Sequence, residues 1–141
     1  MTPWLATFVK RWHTHPVLCE THDAVAAHSG RMGVLALDFF GPDAGLLSAC
    51  LTHDLGEYVT GDAPFGSPCK DSAAEHIARR NIGMNYTHDT RLKFLDLLDS
   101  YLWARHHAPD VIKQPDWRKQ LLTILEMADS LGVSEKLGEY L

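Results

Sequence analysis

Apolar residues recur along most of the chain at intervals of three, four and seven, which is the spacing of one face of an α-helix. Val25, Met32, Leu35 and Phe39 form the first clear stripe of this kind. Capping residues precede several stripes, and glycine or proline follows them. The pattern predicts helices over residues 24–40 after a cap at Asp23, 44–58, 72–82, about 90–106 after a cap at Asp89, and 117 to at least 131 after a cap at Asp116.

Between these stripes the chain has one strong break and no strand pattern. Residues 61–68 contain two glycines and two prolines, a composition that excludes a regular helix or a central strand. Ser72, followed three residues later by Glu75, matches a capping box at the start of the third helix. No segment alternates apolar and polar residues with β-branched enrichment, so no sheet is predicted. The sequence therefore predicts one all-α domain over residues 1–141, a bundle of five or more helices.

Composition narrows the class of protein. The chain has 141 residues and a formal net charge of −5, which disfavours a general binder of polymeric nucleic acid but not a small anionic substrate. Its three cysteines, Cys19, Cys50 and Cys69, are odd in number and widely spaced, which fits reduced thiols better than a disulfide framework. With no signal-peptide core and no apolar run of about 20 residues, we expect a cytoplasmic protein without a membrane partner.

Histidine is frequent, with nine in the chain, and the pair His53-Asp54 is central to the candidate chemistry. Adjacent side chains on a helix diverge by about 100°, so both can bind one ion only where the helix turns into a loop. His28 lies between small residues on the preceding helix, and Asp129 lies in an otherwise apolar stretch. Burying such a carboxylate is costly unless it is paired or bound to a metal.

These four side chains predict a shared site. Two imidazoles and two carboxylates suit zinc, manganese, iron or cobalt. The alternative is a buried network of histidine–aspartate hydrogen bonds without a metal.

The order His28, His53-Asp54, Asp129 resembles the H…HD…D signature of the HD-domain phosphohydrolases. The resemblance extends to the branch of the bacterial 5′-deoxynucleotidase YfbR, the oxetanocin-pathway phosphohydrolase and the viral dATP triphosphohydrolase DatZ. It covers roughly residues 10–132, although residues 82–117 match only as generic helix. The further segments that carry it are Arg11-Trp12, Ala27-His28-Ser29, His53-Asp54-Leu55-Gly56-Glu57, Thr60-Gly61-Asp62-Ala63-Pro64, Lys70 and Ala128-Asp129-Ser130.

The resemblance implies an HD-domain helical bundle in which His28, His53, Asp54 and Asp129 hold a divalent transition metal: zinc, cobalt or manganese, with magnesium as a candidate second ion. Glu57 stands three residues after Asp54, so it can face the same site. The resemblance makes Glu57 the residue that orients or deprotonates the attacking water, and the alternative is a solvated glutamate.

The remaining site residues are assigned to the loop and to the substrate. Asp62 is expected to hold Arg11, the sugar or the nucleophilic water, or else to cap the loop. Arg11, with its planar fork of donors, is expected to neutralise phosphate charge, and Lys70 to act as a point-charge clamp. Trp12 is expected to favour deoxyribose. The alternatives are surface positions for Arg11 and Lys70 and a core position for Trp12.

The function expected from these residues is cleavage of a 2′-deoxynucleotide at the α-phosphate to give a deoxynucleoside. Several cations and the short chain favour a dNTP triphosphohydrolase over a 5′-deoxynucleotidase acting on dNMPs. An inactive nucleotide-binding regulatory module should lack a metal ligand or Glu57, and none is missing. A cyclic-nucleotide or (p)ppGpp hydrolase gives no reason for Arg11-Trp12. The expected partners are a small-molecule deoxynucleotide and further copies of the chain in a homo-oligomer.

Overall fold

The structure is a computed structural model that describes residues 1–62 and 71–141, and its regular elements there are helical. The α-helices are α1 (Pro3–Ala6), α2 (Val25–Phe40), α3 (Ala44–Thr52), α4 (Glu57–Thr60), α5 (Ser72–Asn81), α6 (Thr90–His107), α7 (Pro115–Leu131) and α8 (Ser134–Gly138), with 3₁₀ turns at Leu18–Thr21 and Val111–Lys113. Extended backbone pairs within these ranges at an isolated antiparallel bridge, Lys10 with Ala24. The all-α prediction is confirmed for the described residues.

The second predicted helix is interrupted. Instead of continuing from residue 44 to 58, α3 ends at Thr52, and a turn separates it from the short α4. The turn begins directly at His53, the C-cap of α3. The predicted loop at residues 61–68 lies outside the described residues from position 63 onward.

Helix starts follow the predicted caps only in part. Asp89 caps α6 as predicted, accepting a hydrogen bond from the backbone N–H of Arg91. Asp71 rather than Ser72 caps α5, because its carboxylate accepts from the N–H of Ala74. The predictions for Asp23 and Asp116 are also wrong: α2 starts after Ala24, and α7 starts with a proline after Gln114.

The core forms around α6, which packs against α2, α3 and α7. Phe94 and Leu98 of α6 lie fully buried in one apolar cluster with Met32 of α2, Leu46 of α3 and Ile124 of α7. Because α6 is enclosed by three helices, any polar side chain it places in the interior must be paired or bound to a ligand.

A close backbone contact holds α5 against the turn that precedes α4. A Cβ atom added to Gly56 would lie only 2.2 Å from the carbonyl oxygen of Glu75. The side chain of Glu75 also accepts a hydrogen bond from Thr60 Oγ1 at 3.0 Å. This packing positions α5 beside the His53-Asp54 turn.

No helix in the described part of the chain combines the length and the apolar character that crossing a membrane requires.

Candidate metal centre

Four metal-ligating side chains from three parts of the fold meet at one point. His28 comes from α2, His53 and Asp54 from the end of α3, and Asp96 from α6. Their candidate ligand atoms all lie within 4.8 Å of one another. Nε2 of His28 is 3.4 Å from Asp54 Oδ2 and 3.3 Å from Asp96 Oδ1, and Nε2 of His53 is 3.2 Å from Asp54 Oδ1. Two imidazole nitrogens therefore face two carboxylates.

The helix end explains how two adjacent residues reach the same point. His53 still has helical dihedral angles, whereas Asp54 already lies in the turn. A buried guanidinium fixes this turn, since Arg79 Nη1 donates to the carbonyl oxygen of His53 at 2.7 Å. The prediction that the His-Asp pair lies at a helix end is confirmed, although α3 ends earlier than predicted.

The rear nitrogens of both imidazoles are held by acceptors. His53 Nδ1 lies 3.1 Å from the carbonyl oxygen of Cys50, and His28 Nδ1 lies 2.7 Å from Asp99 Oδ2. A carbonyl oxygen can only accept, so the Nδ1 of His53 carries a proton, which leaves Nε2 as the atom that can bind a metal. Among the described residues, the Nε2 atoms of both histidines are buried and make no hydrogen bond of good geometry, although each lies within 3.4 Å of a carboxylate oxygen. Two buried imidazole nitrogens so placed beside two carboxylates fit a transition metal.

The electrostatics of the cluster also favour a cation. Burial lowers the pKa of His28, but the facing carboxylates of Asp54, Asp96 and Asp99 raise it by more than burial lowers it. The pKa of His28 is therefore well above its ordinary value. Burial raises the pKa of Asp54 and of Asp96, yet the neighbouring histidines hold both pKa values below the ordinary range. Both carboxylates are therefore ionised at neutral pH, and the site attracts either a proton on His28 or a metal ion.

Asp129 does not belong to this cluster. It lies exposed on α7, whose buried residues are Trp117, Ile124 and Ala128. One residue beyond Ala128 is a rotation of about 100°, which turns the Asp129 carboxylate to solvent. The premise that its apolar neighbours imply burial is wrong, and Asp96 takes the fourth place.

Sequence reasoning missed both acids of α6. Asp96 and Asp99 are three residues apart within the apolar run from Leu92 to Tyr101. That spacing places them one helical turn apart on the same side of α6. The same signal, an acid within a largely apolar stretch, had indicated Asp129.

Glu57 is the first residue of α4 and is only 2% exposed. Its backbone N–H donates to the carbonyl oxygen of Asp54 at 3.0 Å, so the turn that follows Asp54 leads directly into Glu57. The alternative of a solvated glutamate is wrong. Its role in activating water stays a prediction.

Arg11 lies inside the protein rather than on its surface, with 6% exposure. Nη1 donates to Asp23 Oδ2 at 3.2 Å, and Nη2 donates to Ser100 Oγ at 3.1 Å. Burial lowers its pKa, but nearby carboxylates, led by Asp54 and Asp96, raise it above the ordinary value. The guanidinium is thus a permanent positive charge near the cluster, and its contact with phosphate stays a prediction.

Trp12 and Asp62 contact each other. The backbone N–H of Trp12 donates to the Asp62 carboxylate, and Trp12 has a left-handed φ of 63°. The indole Nε1 donates to Asp23 at 3.4 Å, and the ring lies 6.0 Å from that of Trp117. Asp62 therefore fixes the backbone of the Arg11-Trp12 segment, and Trp12 packs against the core. Contact of either residue with the substrate stays a prediction.

Two lysines are further candidates for contact with phosphate. Lys70 lies outside the described residues. Lys93, which the sequence analysis did not single out, lies one turn before Asp96 on α6 with its Nζ 3.4 Å from Asp96 Oδ2. Its side chain is 41% exposed, so it extends from the cluster towards solvent.

Comparisons of the chain with protein-family models, with curated proteins and with solved structures returned no match.

Proposed function

We propose that the chain is a divalent-metal-dependent phosphohydrolase of the HD-domain type whose substrate is a 2′-deoxynucleotide. The observation that carries the proposal is the cluster of two buried imidazole Nε2 atoms that face the carboxylates of Asp54 and Asp96. Asp96 replaces Asp129 as the fourth ligand of the proposed site. The order of ligand types along the chain is still that of the H…HD…D signature, because Asp96 also follows His53-Asp54 on a later helix.

The donor set suits zinc, cobalt or manganese, since it combines imidazole and carboxylate ligands. When bound, such an ion acts as a Lewis acid and makes a hydroxide nucleophile available near neutral pH. Magnesium as a second ion remains part of the proposal.

Three residues of the chain would then activate the water and stabilise the charge of the phosphate. Glu57, buried next to the His53-Asp54 turn, accepts the proton of the attacking water. Lys93, at the exposed side of Asp96, binds a phosphate oxygen as a point charge. Arg11 supplies a fixed positive charge behind the carboxylates.

The substrate proposal follows from the sequence resemblance. Attack at the α-phosphate of a dNTP releases triphosphate, whereas a dNMP releases inorganic phosphate. We favour the dNTP, and cleavage of dNMPs is the second candidate. Trp12 beside Arg11 is the proposed source of discrimination against ribose. We propose a cytoplasmic enzyme that acts as a homo-oligomer on this small molecule.

The experiment pairs metal analysis with product analysis. Asp96→Asn should lose bound zinc and hydrolysis, because it replaces a charged carboxylate ligand with a neutral amide, whereas Asp129→Asn should keep both, because Asp129 faces solvent. The protein is purified without chelator and analysed for metal. Phosphate, pyrophosphate and triphosphate release is then measured from dATP, ATP, dAMP and AMP, with zinc, cobalt or manganese.

The outcomes separate the parts of the proposal. A wild-type protein with no metal and no activation by added metal refutes the site and leaves the metal-free hydrogen-bond network, in which a proton on His28 bridges the aspartates. Equal kcat/KM for dATP and ATP removes only the deoxynucleotide assignment. Release of phosphate from dAMP alone identifies a 5′-deoxynucleotidase.

A further inference from the structure

A second acid of α6 contacts the proposed metal ligand His28 from behind. Asp96 approaches Nε2 of the imidazole at 3.3 Å, and Asp99, one turn later, approaches Nδ1 at 2.7 Å. The Nδ1 contact has the length of a charge-assisted hydrogen bond. The two acids therefore address opposite nitrogens of one ring.

The carboxylate of Asp99 is held in place by Arg31, which lies one turn after His28 on α2. Arg31 Nε donates to Asp99 Oδ1 at 2.8 Å, and Nη2 donates to Asp99 Oδ2 at 2.9 Å. The same guanidinium donates to both carboxylate oxygens of Asp23, at 3.0 and 2.9 Å. Both oxygens of Asp99 are thus occupied, and the side chain cannot turn towards the proposed ion without breaking this pair.

The charges of the surrounding network balance without a metal. Asp23 and Asp99 are matched by Arg11 and Arg31, since Arg11 Nη1 lies 3.2 Å from Asp23 Oδ2 and 3.8 Å from Asp99 Oδ2. In the described part of the chain, the ion-pair partners of Asp54 and Asp96 are His28, His53 and Lys93, and none of them is an arginine. Asp99 thus differs from the candidate ligands in its arginine partners as well as in its position.

We propose that Asp99 is a positioning residue for the metal centre: it holds the proton on Nδ1 of His28, so that Nε2 faces the ion, and Arg31 holds Asp99 in place. This inference rests on the proposed function in that it requires a metal at the cluster. A carboxylate behind a ligating histidine fixes the tautomer and ring orientation and increases the basicity of the ligand.

The test measures metal affinity and the state of the His28 ring separately from activity. Zinc and cobalt affinities of Asp99→Asn are measured by chelator competition, with Asp110→Asn as the control, because Asp110 is exposed and pairs with Lys113. Asp99→Asn should weaken both affinities about 10–100-fold, and Asp110→Asn should not. In zinc-loaded protein labelled with ¹⁵N-histidine, the wild type should show a slowly exchanging Nδ1–H of His28, and this proton should exchange faster in Asp99→Asn, because a neutral amide oxygen is a weaker acceptor than a carboxylate.

A double variant distinguishes positioning from simple loss of charge balance. Asp99→Asn leaves Arg31 with one fewer carboxylate, and adding Arg31→Gln removes that excess charge. If Asp99 acts by holding the His28 proton, the double variant keeps the low affinity. Recovery of wild-type affinity in the double variant, or unchanged affinity and an unchanged Nδ1–H signal in Asp99→Asn, overturns the inference while leaving the metal site in place. A wild-type protein that binds neither zinc nor cobalt overturns the proposed function and this inference together.

Discussion

Single residues carry the proposed chemistry, and Glu57 has the most direct test. Glu57→Gln preserves the size of the side chain but removes the proton acceptor. Because Glu57 is not among the four clustered ligands, zinc content should stay at the wild-type level while kcat falls by about 10²-fold or more. The matched control is Glu135→Gln, at an exposed position of α8. Wild-type kcat in Glu57→Gln would remove Glu57 from the mechanism.

A substitution at Lys93 tests whether the phosphate of the substrate binds at the exposed side of Asp96. Lys93→Gln removes the ammonium beside Asp96 but leaves the four ligands, so zinc should still bind. KM for the nucleotide should rise by about tenfold or more, the scale of one lost charge-assisted hydrogen bond. Steady-state kinetics beside Lys113→Gln, at a position paired with the exposed Asp110, measures this. An unchanged KM would mean that Lys93 does not contact the phosphate of the substrate.

The sequence predicted three of the four clustered residues, and it indicated Asp129 in place of Asp96. His28 and His53-Asp54 were recognised by their small or apolar neighbours, although the end of α3 at Thr52 was not predicted. The exposure of Asp129 could also have been predicted from the sequence, because Trp117, Ile124 and Ala128 form an apolar stripe that does not include it. The orientation of Asp96 could not be predicted, because apolar and polar residues are distributed around the whole circumference of α6 and its sequence does not define an inner face.

Among the elements, α3 and α6 begin at a common polar junction. Asp43 caps α3 by accepting from the N–H of Leu46, Asp89 caps α6, and Arg91 Nη2 lies 3.0 Å from Asp43 and 2.7 Å from Asp89. The hydrogen bond from Leu46 lowers the pKa of Asp43, and that from Arg91 lowers the pKa of Asp89. The junction thus joins the helix that ends at the ligands to the helix that contains Asp96.

This junction should make stability depend on pH in the acid range. A lowered pKa in the folded protein means that the contribution is fully present above 3.8, the ordinary value, and is lost as the pH falls through the folded pKa. Asp43→Asn should therefore lower the Tm at neutral pH, and the difference from wild type should shrink as the pH falls below 3.8. Thermal unfolding followed by circular dichroism measures both. A difference that stays constant with pH would show that ionised Asp43 does not stabilise α3.

Helix existence was easier to predict than helix starts. The apolar stripes of α2 and α7 are long, and the structure places both helices where the spacing predicted them. Asp23 looked like a cap because of its position, but its carboxylate is bound by Arg11 and Arg31, which are 12 and 8 residues away. Local sequence does not reveal such competition, because the competing donors arrive only with the tertiary fold.

On the scale of the whole molecule, the cluster joins α2, α6 and the end of α3 at one point. An ion that binds only the folded state adds about 2.7 kcal/mol to the free energy of unfolding when its free concentration is 100 times Kd. Added zinc should therefore raise the Tm of chelator-treated protein. Scanning calorimetry of the wild type and of Asp54→Ala, which lacks one ligand, checks this. Equal shifts in both proteins would assign the stabilisation to sites elsewhere.

The contact at Gly56 has a consequence for which substitutions the chain can tolerate. Gly56 has no functional group and an ordinary negative φ of −70°, so its backbone conformation suits any residue. Yet even a methyl group there would collide with the backbone of α5 at Glu75. Relief of that collision moves α5, which carries the Arg79 that holds the His53 carbonyl. Position 56 therefore has no chemical role in the candidate site, yet steric exclusion alone should select against alanine or serine there during evolution.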